Sequence, residues 1–251
     1  VSTVLKSEVD GVRTLTLNRP EHRNAMTPAM QTELIAALES AGESASTRVL
    51  VLTGAADCFC AGLDLHALQP MELADDAHRI ARIFRTLYEL PLPTIAQVNG
   101  HAIAGGTGLA TMCDFTLAVP SAKFGYTETK IGFVPAIVSA YLMLQIGDKR
   151  ARDLLLTGRL LSAGEAHALG LVSEVVAPEE LPARVHALAH TLAANSPTSL
   201  RATKRLLAEQ NRHWLDKALE LALKANAAAR ETDDFREGIA AFLEKRKPVW
   251  T

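Results

Sequence analysis

The stretch VNGHAIAGGTGLA, Val98 to Ala110, decides how the rest of the chain is read. An apolar strand, Pro93 to Val98, ends in Asn99-Gly100, and Gly105, Gly106 and Gly108 then precede an apolar segment with helical character. Side-chain-free backbone at a helix start exposes N–H groups able to hold an anion. Outward from this stretch the strand-to-helix pattern repeats. Upstream, Arg48 to Thr53 is a short apolar strand ending at Gly54, and Pro70 to Leu90 is mostly helical with Ile80, Ile83, Phe84 and Leu87 on one side. Downstream, Phe115 to Val119 is another strand. Strands alternating with helices predict an α/β layered core with parallel pairing.

The N-terminus, VSTVLKSEVDGVRTLTLNRP, alternates like a strand pair turning at Asp10-Gly11. Thr27-Pro28 reads as an N-cap followed by proline in the first helical position, and Met30, Leu34, Ala37, Leu38 and Ala41 mark one face of that helix. After about Val138 helical patterns dominate: Val138 to Ile146, Lys149 to Leu156, Ser162 to Leu169, Leu181 to Ala194, Pro197 to Gln210, Trp214 to Arg230 and Asp233 to Lys245. Leu171 to Val176 is a strand-like interruption. The chain reads as an α/β core with a helical C-terminal region, without repeats or a linker.

Composition narrows the function. With 251 residues, 48% of them apolar, the chain can bury one large core. A net charge of −2 gives no basic excess for nucleic acid or an anionic membrane. No apolar run is long enough to span a bilayer, and the N-terminus lacks a charged-then-apolar signal sequence. Three cysteines, Cys58, Cys60 and Cys113, suit reduced thiols in the cytoplasm. Cys58-x-Cys60 has no second pair at zinc-site spacing, so no metal is expected.

Two loops offer backbone donors. FCAGLDL, Phe59 to Leu65, has Gly62 for a tight turn and would present the N–H of Leu63; AGG, Ala104 to Gly106, is the second. Two N–H groups aimed at one point from separate loops make an oxyanion hole, although glycine runs also serve as plain turns. Glu128, in KFGYTETKIGFVP, stands near Ile131, Phe133 and Val134. Apolar neighbours should raise its pKa and suit it to accept and donate a proton, whereas a capping or solvated glutamate would do neither. Asp64 is placed to cap the helix after the first loop, Tyr126 to orient a ligand or pack, and His101 to act as a base or, the favoured reading, as a hydrogen-bonded structural histidine. Ser139 lacks a nucleophile-elbow context, and Gly106-x-Gly108 does not complete a dinucleotide fingerprint.

In order along the chain, NRPEHRNAMT (Asn18 to Thr27), FCAGLDL, VNGHAIAGGTGLATMCD (Val98 to Asp114), FGYTETKIGFVP (Phe124 to Pro135), LLLTGRLLSAGEAHALGLVSEVV (Leu154 to Val176) and EGIAAFLEKRKPVW (Glu237 to Trp250) resemble the enoyl-CoA hydratase/isomerase, or crotonase, family. The resemblance implies a β-β-α spiral core over residues 1–195 and a helical trimerisation region over 196–251, often as a dimer of trimers. It implies an acyl-CoA thioester as ligand, with coenzyme A part of the substrate and no separate cofactor. Carried over by position, the N–H groups of Leu63 and Gly105 would form the oxyanion hole and Glu128 would be the acid/base. Arg23 and the backbone around Ala25 match the part contacting the CoA nucleotide. Ala61 and Leu63, Asp64, Leu65 and His66 match the segment lining the thioester and pantetheine, with Tyr126 beside the ligand.

One position departs from the family. Two-glutamate hydratases carry a glutamate in the helix after the glycine run, where this chain has Gly108. Two enzyme readings follow: hydration of a 2-enoyl-CoA with Glu128 handling the α-proton, and isomerisation in which Glu128 alone moves a proton between the α and γ carbons. TETKIGFVPAIVS, Thr127 to Ser139, with Gly108, is similar to a bacterial subgroup assigned to 3-methylglutaconyl-CoA hydration, which favours the first. A non-catalytic acyl-CoA-binding protein is the reading from another class. Side chains from Met71 to Leu90, Tyr126, Phe133 and Ile137 to Tyr141 are expected to set acyl-chain selectivity.

Overall fold

The computed structural model describes residues 2–67 and 73–250. Strands β1 (Val4–Val9) and β2 (Val12–Leu17) pair antiparallel, with Val4 opposite Leu17 and Val9 opposite Val12. Asp10 and Gly11 both take positive φ between them, as a two-residue hairpin turn requires. Helix α1 (Pro28–Glu43) starts where predicted: Thr27 Oγ1 accepts from the Met30 N–H at 3.2 Å. Its buried stripe contains Met30, Leu34, Ala37, Leu38 and Ala41.

Successive β-β-α turns then wind along the chain. The first comprises β3 (Val49–Gly54), β4 (Cys58–Cys60) and α2 (Leu73–Glu89). The second comprises β5 (Thr94–Val98), β6 (His101–Ile103) and α3 (Gly105–Met112). The third comprises β7 (Phe115–Ala118), β8 (Lys123–Gly125), a 3-10 turn at Glu128–Ile131 and α4 (Ala136–Ile146). The first strand of each pair joins a large sheet and the second a small one. The large sheet runs β1-β2-β3-β5-β7 and ends in β10 (Glu174–Val175), antiparallel only at β1–β2, and the small one runs β4-β6-β8 and ends in β9 (Leu161–Ser162). Every residue of β3 is buried, as in a parallel strand covered on both faces.

The chain continues through α5 (Asp148–Thr157), β9 (Leu161–Ser162), α6 (Ala163–Ala168), β10 (Glu174–Val175) and α7 (Leu181–Ala194). It ends in α8 (Pro197–Arg230) and α9 (Asp233–Leu243). The mixed α/β spiral is as predicted, with two local corrections. The strand expected over Leu171 to Val176 shrinks to Glu174–Val175. The two helices expected over Pro197 to Gln210 and Trp214 to Arg230 are one 34-residue helix. Asn211-Arg212-His213, between the two expected helices, contains neither glycine nor proline, and Asn211 Nδ2 donates to Tyr88 Oη at 2.8 Å. The start of the helix expected from Pro70, and the pocket residue Met71, lie outside the described residues.

Among the described residues no helix is long and apolar enough to cross a membrane, and no group of three His, Cys, Asp or Glu could hold a metal ion. Cys58, Cys60 and Cys113 are free and buried, and burial pushes the Cys60 and Cys113 thiols up to about 12, which keeps them protonated.

Candidate active site

Strands β4, β6 and β8 are parallel neighbours in the small sheet, so the segments after their C-terminal ends converge. Those segments carry Leu63, Gly105 and Glu128. This topology brings together three residues far apart in sequence.

The Leu63 loop is held by a parallel bridge to Met26. The Met26 N–H donates to Gly62 O at 2.8 Å, and the Asp64 N–H donates to Met26 O at 3.0 Å. Bonding through its two neighbours turns the Leu63 N–H away from Met26. Gly62 needs its φ of +93°, and a Cβ there would lie 3.0 Å from Ile103 O and 3.4 Å from Gly105 N, so the two glycine loops touch. On the second loop, Ala104 takes φ 51° and ψ −122°, an unfavourable conformation for a residue with a Cβ. The Ala104 N–H donates to Gly125 O at 2.7 Å, pinning the loop to β8. Gly105 then opens α3, where an N–H lacks an intrahelical acceptor. At the next position a Cβ on Gly106 would lie 2.0 Å from Cys60 O, so α3 can sit against β4 only with glycine there.

Glu128 begins the 3-10 turn after β8. The residue keeps some surface, but its Oε2 is buried and has no hydrogen-bond partner among the described residues. Burial pushes its pKa up to about 7, against the smaller opposing effect of its own backbone N–H. A cavity of about 190 Å3 opens between these elements and is lined by Ala61, Leu63, Leu65, Gly105 and Glu128. Of the residues expected to set acyl-chain selectivity, Ile80 and Phe84 of α2, Phe133 before α4 and Ile137 and Val138 within it supply apolar wall, whereas Ser139, Ala140 and Tyr141 are not in the lining.

The other predicted residues are not in the lining of this cavity. Arg23 is exposed, in left-handed conformation, and its carbonyl accepts from the Ala61 N–H at 3.0 Å. Ala25 is buried, and its carbonyl accepts from Arg19. Asp64 pairs with Arg19 at 2.9 Å, and its Oδ1 accepts from the His66 N–H at 3.2 Å. It therefore closes the turn at Leu65–Ala67, and the helix it was expected to cap is seen only from Leu73. Thus Arg23, Ala25, Ala61 and the Leu63–His66 run form one contiguous edge. Tyr126 is fully buried with its hydroxyl 3.3 Å from Thr111 Oγ1, and His101 accepts from the Lys123 N–H at 3.2 Å.

Two findings were absent from the sequence reading. Gly108 is not a vacancy: a Cβ there would lie 2.4 Å from the Phe84 ring tip and 3.1 Å from Val138 Cγ1. The C-terminal helices also wall the cavity, through Asn226 and Arg230 of α8 and Phe235, Ile239 and Phe242 of α9, with Asp76 of α2 opposite Arg230. Phe235, Ile239 and Phe242 stand at helical spacing in the sequence, but only the fold shows what that face covers. The boundary expected at residue 195 does not separate the cavity from the helical region.

The family model for enoyl-CoA hydratase/isomerase matches residues 7–251. A Thermus thermophilus relative described as a candidate enoyl-CoA hydratase is 45% identical, covering 98% of this chain and 99% of its own length. The 1,2-epoxyphenylacetyl-CoA isomerase of Escherichia coli K12 is 36% identical over 99% of this chain and 98% of its own. A crystal structure of an enoyl-CoA hydratase from Mycobacterium avium subsp. paratuberculosis K-10 superposes with a TM-score of 0.91 at 30% identity, covering 100% of this chain and 99% of that one.

Proposed function

The chain belongs to the enoyl-CoA hydratase/isomerase family, and from that premise we propose that it hydrates a 2-enoyl-CoA reversibly, with Glu128 as its acid/base. The observation that carries this reading is the Glu128 carboxyl, its Oε2 buried and without a hydrogen-bond partner among the described residues, sharing one cavity with Leu63 and Gly105. The thioester oxygen gains negative charge as water adds, and the Leu63 and Gly105 N–H groups hold that charge. Preorganised donors of this kind bind the transition state more strongly than the ground state, each worth about 2.7–4 kcal/mol where one has been removed. Water oxygen bonds to the β-carbon while the Glu128 carboxyl gives a proton to the α-carbon. The carboxylate then recovers a proton from the added water and ends as it began. A carboxyl whose pKa lies near 7 is suited to both transfers.

The CoA portion is assigned to the edge formed by Arg23, Ala25 and Leu63 to His66, with no separate cofactor. A 3-methylglutaconyl thioester is the particular substrate suggested by Thr127 to Ser139 together with Gly108. Association as a trimer or dimer of trimers through α8 belongs to the same proposal.

The packing of Phe84 against Gly108 supports a second reading. It leaves no room for a carboxylate at the position where two-glutamate hydratases have one. Isomerisation needs only Glu128, which removes a proton from the α-carbon of a 3-enoyl-CoA and returns it to the γ-carbon.

Incubation of enoyl-CoA esters, 3-methylglutaconyl-CoA included, in heavy-oxygen water separates the readings. Label in a 3-hydroxyacyl product is expected. Label-free conversion between 3-enoyl and 2-enoyl esters would instead establish the isomerase. Glu128→Gln is expected to lower turnover by about 10²–10⁴-fold while acyl-CoA binding persists. Unchanged turnover would remove Glu128 from the chemistry, and binding without either product would leave an acyl-CoA-binding protein.

A further inference from the structure

The cavity wall also holds a buried charge cluster that proton transfer at Glu128 does not use. Asp76 is fully buried; its Oδ1 accepts from Gln31 Nε2 at 2.5 Å, and its Oδ2 lies 3.5 Å from Arg230 Nη2. Arg79, three residues along α2, stands 4.0 Å from Asp76 Oδ1 and donates from Nε to Gln31 Oε1 at 2.7 Å. Arg230 ends α8 with a side chain only 8% exposed. Its Nε donates to Asn226 Oδ1 at 2.8 Å, and its guanidinium carbon lies 5.1 Å from the centre of the Phe133 ring. Its Nη1 is buried and has no hydrogen-bond partner among the described residues.

Charge counting gives this cluster a direction. Among the described residues, the ion pairs of Arg79 and Arg230 both run to Asp76 alone. Two guanidiniums therefore share one carboxylate, leaving one positive charge in excess. A buried cation with an open donor is costly unless an acceptor meets it, and an anionic acceptor also cancels the excess charge. A hydroxyl or amide would supply only the first.

We propose that Arg230 is a specificity-determining residue that receives a carboxylate on the acyl chain, so that ω-carboxylated acyl-CoA thioesters are the preferred substrate class. The cavity would hold the thioester at Leu63 and Gly105, the chain along Ile80, Ile131 and Ile137, and the carboxylate at Arg230. This inference rests on the acyl-CoA reading above.

Saturated esters test it without turnover. Calorimetry compares glutaryl-CoA with pentanoyl-CoA, and adipoyl-CoA with hexanoyl-CoA. The unaltered protein is expected to bind the carboxylated member of at least one pair at least about tenfold more tightly. Arg230→Met should abolish that preference and Arg230→Lys should retain part of it. If Arg230→Met does not fold, the double variant Arg230→Met with Asp76→Asn removes the stranded carboxylate as well and takes its place. No preference in the unaltered protein, or a preference that survives loss of the guanidinium, overturns the proposal. Equal weakening of both members of a pair, with the preference intact, assigns Arg230 to holding α8 in place and overturns it too. Failure of all four esters to bind would instead overturn the acyl-CoA reading itself.

Discussion

Glu128 keeps its proton well above the ordinary carboxylic range because its carboxyl is buried, with no hydrogen-bond partner for Oε2 among the described residues. That makes it costly to the fold as well as suited to proton transfer. Its pKa is near 4.5 unfolded and about 7 folded. Between those values the folded protein holds a proton that the unfolded chain has released, so this residue's contribution to stability falls as pH rises through that window. The penalty is complete above it and absent below it. Glu128→Gln abolishes the titration. Urea unfolding should show the variant gaining on the parent by on the order of 3 kcal/mol between about pH 4 and about pH 8. No pH-dependent gain would mean that the carboxyl is solvated. Catalysis titrates with the same group but with a sign set by direction. Hydration, which draws a proton from Glu128, should fall in kcat/KM as pH rises through about 7, and α-proton removal from a 3-enoyl ester should rise. A flat profile in both directions would count against Glu128 as the proton carrier.

At the scale of elements, the contact between α2 and α3 is where this chain differs from a two-glutamate hydratase. Phe84 is buried, and a side chain at Gly108 would have to push its ring toward the cavity that it lines. Gly108→Ala should cost about 1–3 kcal/mol through overpacking, measured by chemical denaturation. Trimming the ring with Phe84→Leu should recover part of that loss in the double variant. Equal stability of Gly108→Ala and the parent would show that α2 can move. This contact also marks the limit of what sequence can reveal. The α1 cap, its buried stripe and the longer strands of the large sheet, β1, β2, β3, β5 and β7, were legible because each follows from local spacing. The convergence of Leu63, Gly105 and Glu128 was legible only through resemblance, since it depends on β4, β6 and β8 being neighbours, and β4 and β6 are three residues long. Arg230 opposite Asp76 had no local signal: a basic residue ending a helix usually complements the helix dipole, and its partner lies 154 positions upstream.

At the scale of the whole molecule, α8 faces two ways. Its Ala208, Leu215, Leu219, Ala222 and Asn226 are buried, with Asn226 reaching the cavity. Leu207, Trp214 and Leu221 are 54%, 44% and 59% exposed at a spacing of seven residues, which places them in one stripe two helical turns apart. An exposed apolar stripe along a helix this long is a surface suited to another copy of the chain, which is where the proposed trimer would close. Charged side chains there would oppose burial without entering the cavity. Leu207→Glu with Leu221→Glu should convert the assembly to monomer in light scattering at working concentration, whereas the unaltered chain should run as a trimer or larger. A monomeric unaltered protein would contradict the proposal, and so would an undisturbed assembly in the variant. Association should also support the site, because the helix that carries the stripe also holds Asn226 and Arg230 against the cavity. Partner binding stabilises whichever arrangement of α8 it requires, by mass action. Specific activity of the unaltered protein should therefore fall on dilution in step with dissociation, and activity that persists in the fully dissociated chain would show that α8 holds the cavity wall without help from its neighbours.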